Sequence, residues 1–150
     1  MSSLDKIAVQ VEISRQNLVP LLHEIRHALE QLIETGETRT IDLRSLPFSP
    51  GEEQELERRL GRGELVAHLE ALGPSEILET RFPGVWLVTH RNTENEIIGR
   101  YVEVTAMPAL LKSQLSDMQQ GLKSLDEDLG GKLQPTSEAL AVHGTARHPL

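Results

Sequence analysis

The chain has 150 residues, 38% of them hydrophobic and 25% charged, a balance that fits one globular domain rather than a disordered segment. A formal net charge of −8 disfavours nucleic acid and anionic membrane as partners, and the absence of cysteine excludes disulfides, thiolate metal sites and a cysteine nucleophile. Aromatics make up only 3%, so the core has to be built from Leu, Ile and Val.

Ile7, Val9, Val11 and Ile13 alternate with Ala8, Gln10 and Glu12, which predicts a half-buried strand. The opening residues carry no signal-peptide apolar region, and no apolar run approaches the ~20 residues of a membrane-spanning helix. A cytoplasmic, non-membrane protein is therefore expected.

A helix follows. Leu18, Leu21, Leu22, Ile25, Leu29, Leu32 and Ile33 recur at helical spacing, Asn17 is its expected N-cap, Pro20 falls in its first turn and Gly36 ends it. Within it, His23-Glu24-Ile25-Arg26-His27 matches H-E-x-x-H. On a helix that spacing stacks two imidazoles one turn apart to grip zinc, with the glutamate as general base. At about 100° per residue, however, His23 and His27 point roughly 160° away from the centre of the apolar stripe. Their flanks are Glu24, Glu30 and Glu34, and spacing does not select a third ligand among His68, His90 and the carboxylates. The two histidines are weak metal candidates only, and a solvated or partner-binding face fits better than a zinc hydrolase.

Arg39 to Leu43 alternates as a short strand. Ser49-Pro50-Gly51-Glu52 reads as a capping box with proline at the first helical position, opening a helix to about Leu60. Its charged residues, Glu52, Glu53, Glu55, Glu57, Arg58 and Arg59, predict a solvated face. From Glu64 to Thr105 the pattern is β: Leu65 to Ala71, an edge strand over Ser75 to Phe82, Val85-Trp86-Leu87-Val88 apolar on both faces, and Glu96 to Val104 after a hairpin loop at Asn92 to Asn95. Turns fall at Gly73-Pro74 and Pro83-Gly84. The strand that is apolar on both faces requires cover on both, one from the two helices and the other from the rest of the chain or a second protein. After Pro108, Leu115, Met118, Leu122, Leu125 and Leu129 form a narrow 3-4-3-4 seam ended by Gly130-Gly131. Gly131 to Leu150 reads as a mobile tail.

The expected fold is α+β: an antiparallel meander with two amphipathic helices on one face, plus a C-terminal helical segment. The domain spans 1–113, the C-terminal helix 114–130 and the tail 131–150. No nucleotide-binding or nucleophile-elbow motif is present, and no catalytic or cofactor-binding residue is assigned.

The blocks LLHEIRHALE, TIDLRSLPFSPGE, GELVAHLEALGPSEILET, FPGVWLVTHRN and IIGRYVEVTAMPALLKS, in unbroken order from about Leu18 to Ser113, resemble the C-terminal domain of hydrogenase expression/formation proteins of the HupH/HyaF type. The resemblance implies a non-enzymatic accessory protein in the maturation of a nickel–iron uptake hydrogenase. It implies that the client is the immature, iron–sulfur-bearing small subunit and that a thioredoxin-like accessory protein works beside it. Family members of about twice this length carry two copies of the domain, so a single-copy chain is expected to pair as a homodimer, through the Val85–Val88 strand and the 115–129 seam. His23, Arg26, His27, Glu30 and Trp86 are the candidate partner-binding residues. An interaction domain unrelated to hydrogenase is the remaining alternative.

Overall fold

Among the described residues, five antiparallel strands form one sheet in the order β1-β5-β4-β3-β2. They are β1 (Arg39–Asp42), β2 (Val66–Leu69), β3 (Ser75–Glu79), β4 (Val85–Arg91) and β5 (Ile97–Val104). The helices are α1 (Leu18–Thr35), α2 (Pro50–Leu60) and α3 (Leu115–Asp128), with 3₁₀ turns at Leu43–Ser45 and Ala109–Leu111. The computed structural model describes residues 17–130 apart from residue 72; the alternating Ile7–Ile13 segment and the tail 131–150 lie outside the described residues. The chain divides into two units, Met1–Leu111 and Lys112–Leu150.

β2 to β5 form the expected meander, and β1 pairs outside β5. Two of the expected strands differ. The one after Arg39 turns into 3₁₀ helix at Leu43, because the Asp42 carboxylate accepts the Arg44 backbone N–H at 2.9 Å. Ser75–Glu79 is an interior strand, not an edge; its polar side chains are satisfied locally rather than by solvent. The Ser75 hydroxyl lies 2.8 Å from His90 Nδ1, and Glu79 Oε2 accepts the Glu64 backbone N–H at 3.2 Å.

Pleating sends alternate residues of β4 to opposite faces. Val85 and Leu87, with Val102, Val104 and Ile41, meet the buried stripes of α1 (Leu18, Leu21, Ile25, Ala28) and α2 (Leu56, Leu60). Ile77, Trp86 and Val88 form a smaller cluster on the far face, against Leu69, Tyr101 and Leu111. The chain thus supplies far-face cover itself, through the segment after β5 in which Pro108 is fully buried. All four of Val85 to Val88 are buried by this packing, which takes that strand out of any interface between copies.

Helix ends depart from the expected caps. Gly36 adopts the left-handed conformation (φ 76°) and its N–H donates to the Leu32 carbonyl at 2.9 Å, as its sequence position predicts. Asn17 occupies the N-cap position of α1, but its amide reaches across to the Pro47 carbonyl at 3.2 Å instead of capping. Ser49 makes no side-chain cap, and Glu52, expected on a solvated face, is only 4% exposed. The same helix turns Glu53 and Glu57 toward the sheet residue Arg100, with Glu53 3.8 Å away and Glu57 in contact. One side of the charge run is thus an electrostatic clasp over β5 rather than a free surface.

In the second unit, α3 keeps its apolar seam in the open. Leu115, Met118, Leu122, Leu125 and Leu129 are 53–68% exposed.

Candidate functional site

The outer face of α1 carries the charged and imidazole groups because the opposite face is spent on the core. His23 and His27 are exposed, in agreement with the helix phasing. Glu24, the would-be general base of the zinc pattern, accepts a 2.6 Å hydrogen bond from Arg39 Nη2 and so ties α1 to the edge strand β1. Arg26 Nη1 lies 3.4 Å from Glu30 Oε2, one turn on, and His27 Nδ1 lies 3.9 Å from the same oxygen. His23, Arg26, His27 and Glu30 thus share one open face, on which the Glu30 carboxylate draws Arg26 and His27 together. Among the described residues, no group of three or more His, Asp or Glu side chains is arranged to hold a metal ion.

Trp86 sits elsewhere. It is 3% exposed on the far sheet face, where its indole N–H donates to the Thr105 carbonyl at 3.0 Å. The ring is a structural element of that cluster, and its side chain presents no open surface.

His90 is the best placed of the remaining histidines, beside the Ser75 hydroxyl and edge-on to Tyr101 at 5.8 Å between ring centroids. A hydroxyl–imidazole pair resembles two-thirds of a hydrolytic triad. Among the described residues, however, no carboxylate is ion-paired to the His90 ring, and the acidic group that interacts with it electrostatically is Glu103. Glu103, on the same face, has its carboxyl pKa raised by burial, partly offset by the charge of His90. His68, also exposed, lies 3.8 Å from Glu76 across the β2–β3 pair.

A cavity of about 270 Å³, which no sequence pattern announces, lies between α1, the end of α2 and the β3–β4 turn. Leu22, Ile25 and Leu29 of α1 form one wall, Leu60 and Val85 lie opposite, and Arg26, Arg59, Arg81 and Phe82 also line it. Backbone bonds build it. The Arg81 N–H donates to the Leu60 carbonyl at 2.9 Å, fastening the β3–β4 turn to the last turn of α2. The arginines come from three separate segments, so no local spacing announces them; in sequence, Arg26 and Arg59 show only as members of two separate charged helix faces.

Residues 16–130 match a family described as HupH hydrogenase expression protein, C-terminal conserved region. Similar curated proteins include hydrogenase expression/formation protein HoxQ of Azotobacter vinelandii, 30% identical over 110 residues that make up 73% of this chain and 38% of that protein. Another is HupQ of Azotobacter chroococcum mcd 1, 30% identical over 113 residues, which are 74% of this chain and 40% of that one. The chain therefore spans well under half the length of these relatives. Among solved structures, the hydrogenase expression protein HupH from Thiobacillus denitrificans ATCC 25259 superposes with a TM-score of 0.74 at 40% identity, covering 77% of this chain and 96% of the other.

Proposed function

Because the chain belongs to the HupH hydrogenase expression protein family, through its C-terminal conserved region, we propose that it is a non-enzymatic assembly factor in nickel–iron uptake hydrogenase maturation. Its client is the immature iron–sulfur small subunit, it works in the cytoplasm beside a thioredoxin-like accessory protein, and it releases the client once mature. The observation that carries this reading is the family match over residues 16–130, supported by the shared fold. No described helix is long and apolar enough to cross a membrane, which is compatible with a protein that meets its client in the cytoplasm.

An assembly factor shifts its client only through differential affinity for the two states. A tenfold preference for the precursor corresponds to about 1.4 kcal/mol, within reach of one or two apolar side chains exposed only before maturation. The contact surface is the open face of α1, with His23, Arg26, His27 and Glu30. Trp86, buried, is left out of it. The test is capture of tagged small subunit, as precursor and as mature protein, by wild type and by the Arg26→Glu/His27→Glu double variant. The precursor should be captured preferentially, and the double variant should lose capture while its circular dichroism stays unchanged. Equal capture of both forms, or of neither, overturns the assembly role; normal capture by the double variant removes α1 from it.

Pairing of two copies is a second part of the reading. The exposed five-residue seam of α3 has the a/d spacing of a two-stranded coiled coil. Asp126, Glu127 and Asp128 crowd the C-terminal end of the helix, where the macrodipole is already negative. An antiparallel partner brings its positive N-terminal end to that point, so the antiparallel pairing is favoured.

A further inference from the structure

We propose that the cavity between α1, α2 and the β3–β4 turn binds a large aliphatic side chain of a partner protein, lying within an internal segment that also carries acidic side chains. This deepens the assembly reading by giving the client's docking segment a chemistry, and it rests on that reading for the client's identity.

The floor of the cavity is aliphatic, from Leu22, Ile25, Leu29, Leu60 and Val85. Its volume of about 270 Å³ falls just under the ~300–1,000 Å³ of small-molecule and cofactor pockets, which suits one or two side chains better than a whole ligand. Three of its nine described lining residues are arginines, in a chain whose net charge is −8. Among the described residues neither Arg59 nor Arg81 is ion-paired to a carboxylate, while Arg26 shares Glu30 at 3.4 Å.

Arg81 is held in place before any partner arrives. Its Nε donates to the Arg59 carbonyl at 3.1 Å, and its guanidinium carbon lies 4.6 Å from the Phe82 ring centroid. Gly61 makes room for its stem, since a Cβ there would sit 3.1 Å from Arg81 Cδ and the backbone has φ +62°. The two terminal nitrogens have no hydrogen-bond partner among the described residues, leaving a positioned fork of donors of the kind that grips a carboxylate in two places. Three cations spread around the rim call for more than one carboxylate. An internal acidic segment supplies several, whereas a free chain terminus supplies one.

The test uses the full chain and a fluorescein-labelled, C-terminally amidated decapeptide with a single leucine flanked on both sides by glutamates, read by fluorescence anisotropy. Binding should weaken about tenfold or more, equivalent to 1.4 kcal/mol, when the glutamates become glutamines, and likewise when the leucine becomes alanine. Arg81→Ala, Arg81→Lys and Arg59→Ala should each weaken it, the lysine variant because a single ammonium does not reproduce the fork. Arg58→Ala, which removes an exposed partner of Glu55 away from the cavity, should not. Arg81 also fastens local structure, so Arg59→Ala, whose side chain makes no ion pair or hydrogen bond that holds the β3–β4 turn among the described residues, keeps the test decisive if Arg81→Ala unfolds. No binding up to millimolar protein, equal binding of the glutamine peptide, indifference to Arg59→Ala, or preference for a peptide whose only carboxylate is its free C-terminus would each overturn the proposal. The assay needs no hydrogenase, so a negative result here leaves the maturation reading standing, and a failed client capture leaves the cavity's peptide chemistry standing.

Discussion

Leu56→Ala is the sharpest test of how α2 is held. Leu56 is 1% exposed and belongs to the cluster joining α1, α2 and the sheet, so solvent cannot fill the space its truncation leaves. Losing its outer carbons forfeits about 2 kcal/mol of transfer free energy at roughly 0.8 kcal/mol per methylene. The unfilled cavity raises the total to about 3–4 kcal/mol, inside the ~2–5 kcal/mol seen for buried leucines. Against a domain stability of about 5–15 kcal/mol, that is a large share. With a urea slope of about 1–3 kcal/mol/M, the midpoint should fall by about 1–4 M. Trp86 is the single tryptophan and lies on the other sheet face, so its fluorescence reports unfolding without sensing the new cavity directly. Leu122→Ala is the comparison: on the 62%-exposed seam of α3, the same truncation should change stability by about 0.5 kcal/mol or less in dilute protein. An equal shift for the two variants, or a Leu56→Ala midpoint within about 0.3 M of wild type at unchanged slope, would refute the placement of α2 on the core.

Gly73→Ala should cost about 2 kcal/mol or more, because φ is +112° and a Cβ would stand 2.3 Å from the Arg91 carbonyl oxygen, backbone that no side-chain rotation relieves; a urea titration checks it. Burial raises the Glu103 pKa, so the folded state holds that proton more tightly than the unfolded one, and the group's stabilising contribution is present at low pH and is lost as pH rises through its folded pKa. Glu103→Gln should therefore raise the urea midpoint at pH 7, with the advantage shrinking toward pH 4. Purified protein dialysed after expression should retain no stoichiometric zinc by elemental analysis, and His27→Ala should leave any trace metal unchanged. Light scattering at tens of micromolar should give the mass of a dimer, and Leu122→Glu that of a monomer; a wild-type monomer refutes pairing through α3.

Much of this fold was legible because periodicity reports burial. Leu18, Leu21 and Ile25 phase α1, and the solvated position of His23 and His27 follows from the same wheel. At a few positions letters and environment part company. Ile33 fits the apolar spacing of the stripe yet is 78% exposed, being about 100° from the centre of the residues actually buried. Ala28 was passed over and is 1% exposed, since a small side chain lets the helix approach the sheet. Glu52 has an ionisable side chain and is buried; a one-letter code holds no trace of Arg100 arriving from β5 to draw the neighbouring carboxylates inward. β3 looked like an edge because Ser75, Glu76 and Glu79 are polar, but polarity matched by cross-strand partners is compatible with an interior strand. The arginine-lined cavity was invisible for a different reason: Arg26, Arg59 and Arg81 become neighbours only through tertiary structure.

The pairing of β1 with β5 has a consequence during synthesis. The wall that receives α1 needs Val102 and Val104, which are the last core residues of the sheet to be made. At about 5–20 residues per second, the ribosome takes about 4–17 s to travel from Leu18 to Val104. Throughout that interval the apolar stripe of Leu21, Ile25 and Ala28 has no completed sheet to rest on. The longest of the described helices thus spends seconds without the sheet that shelters it, a window in which factors that bind emerging polypeptides can compete for the same apolar stripe.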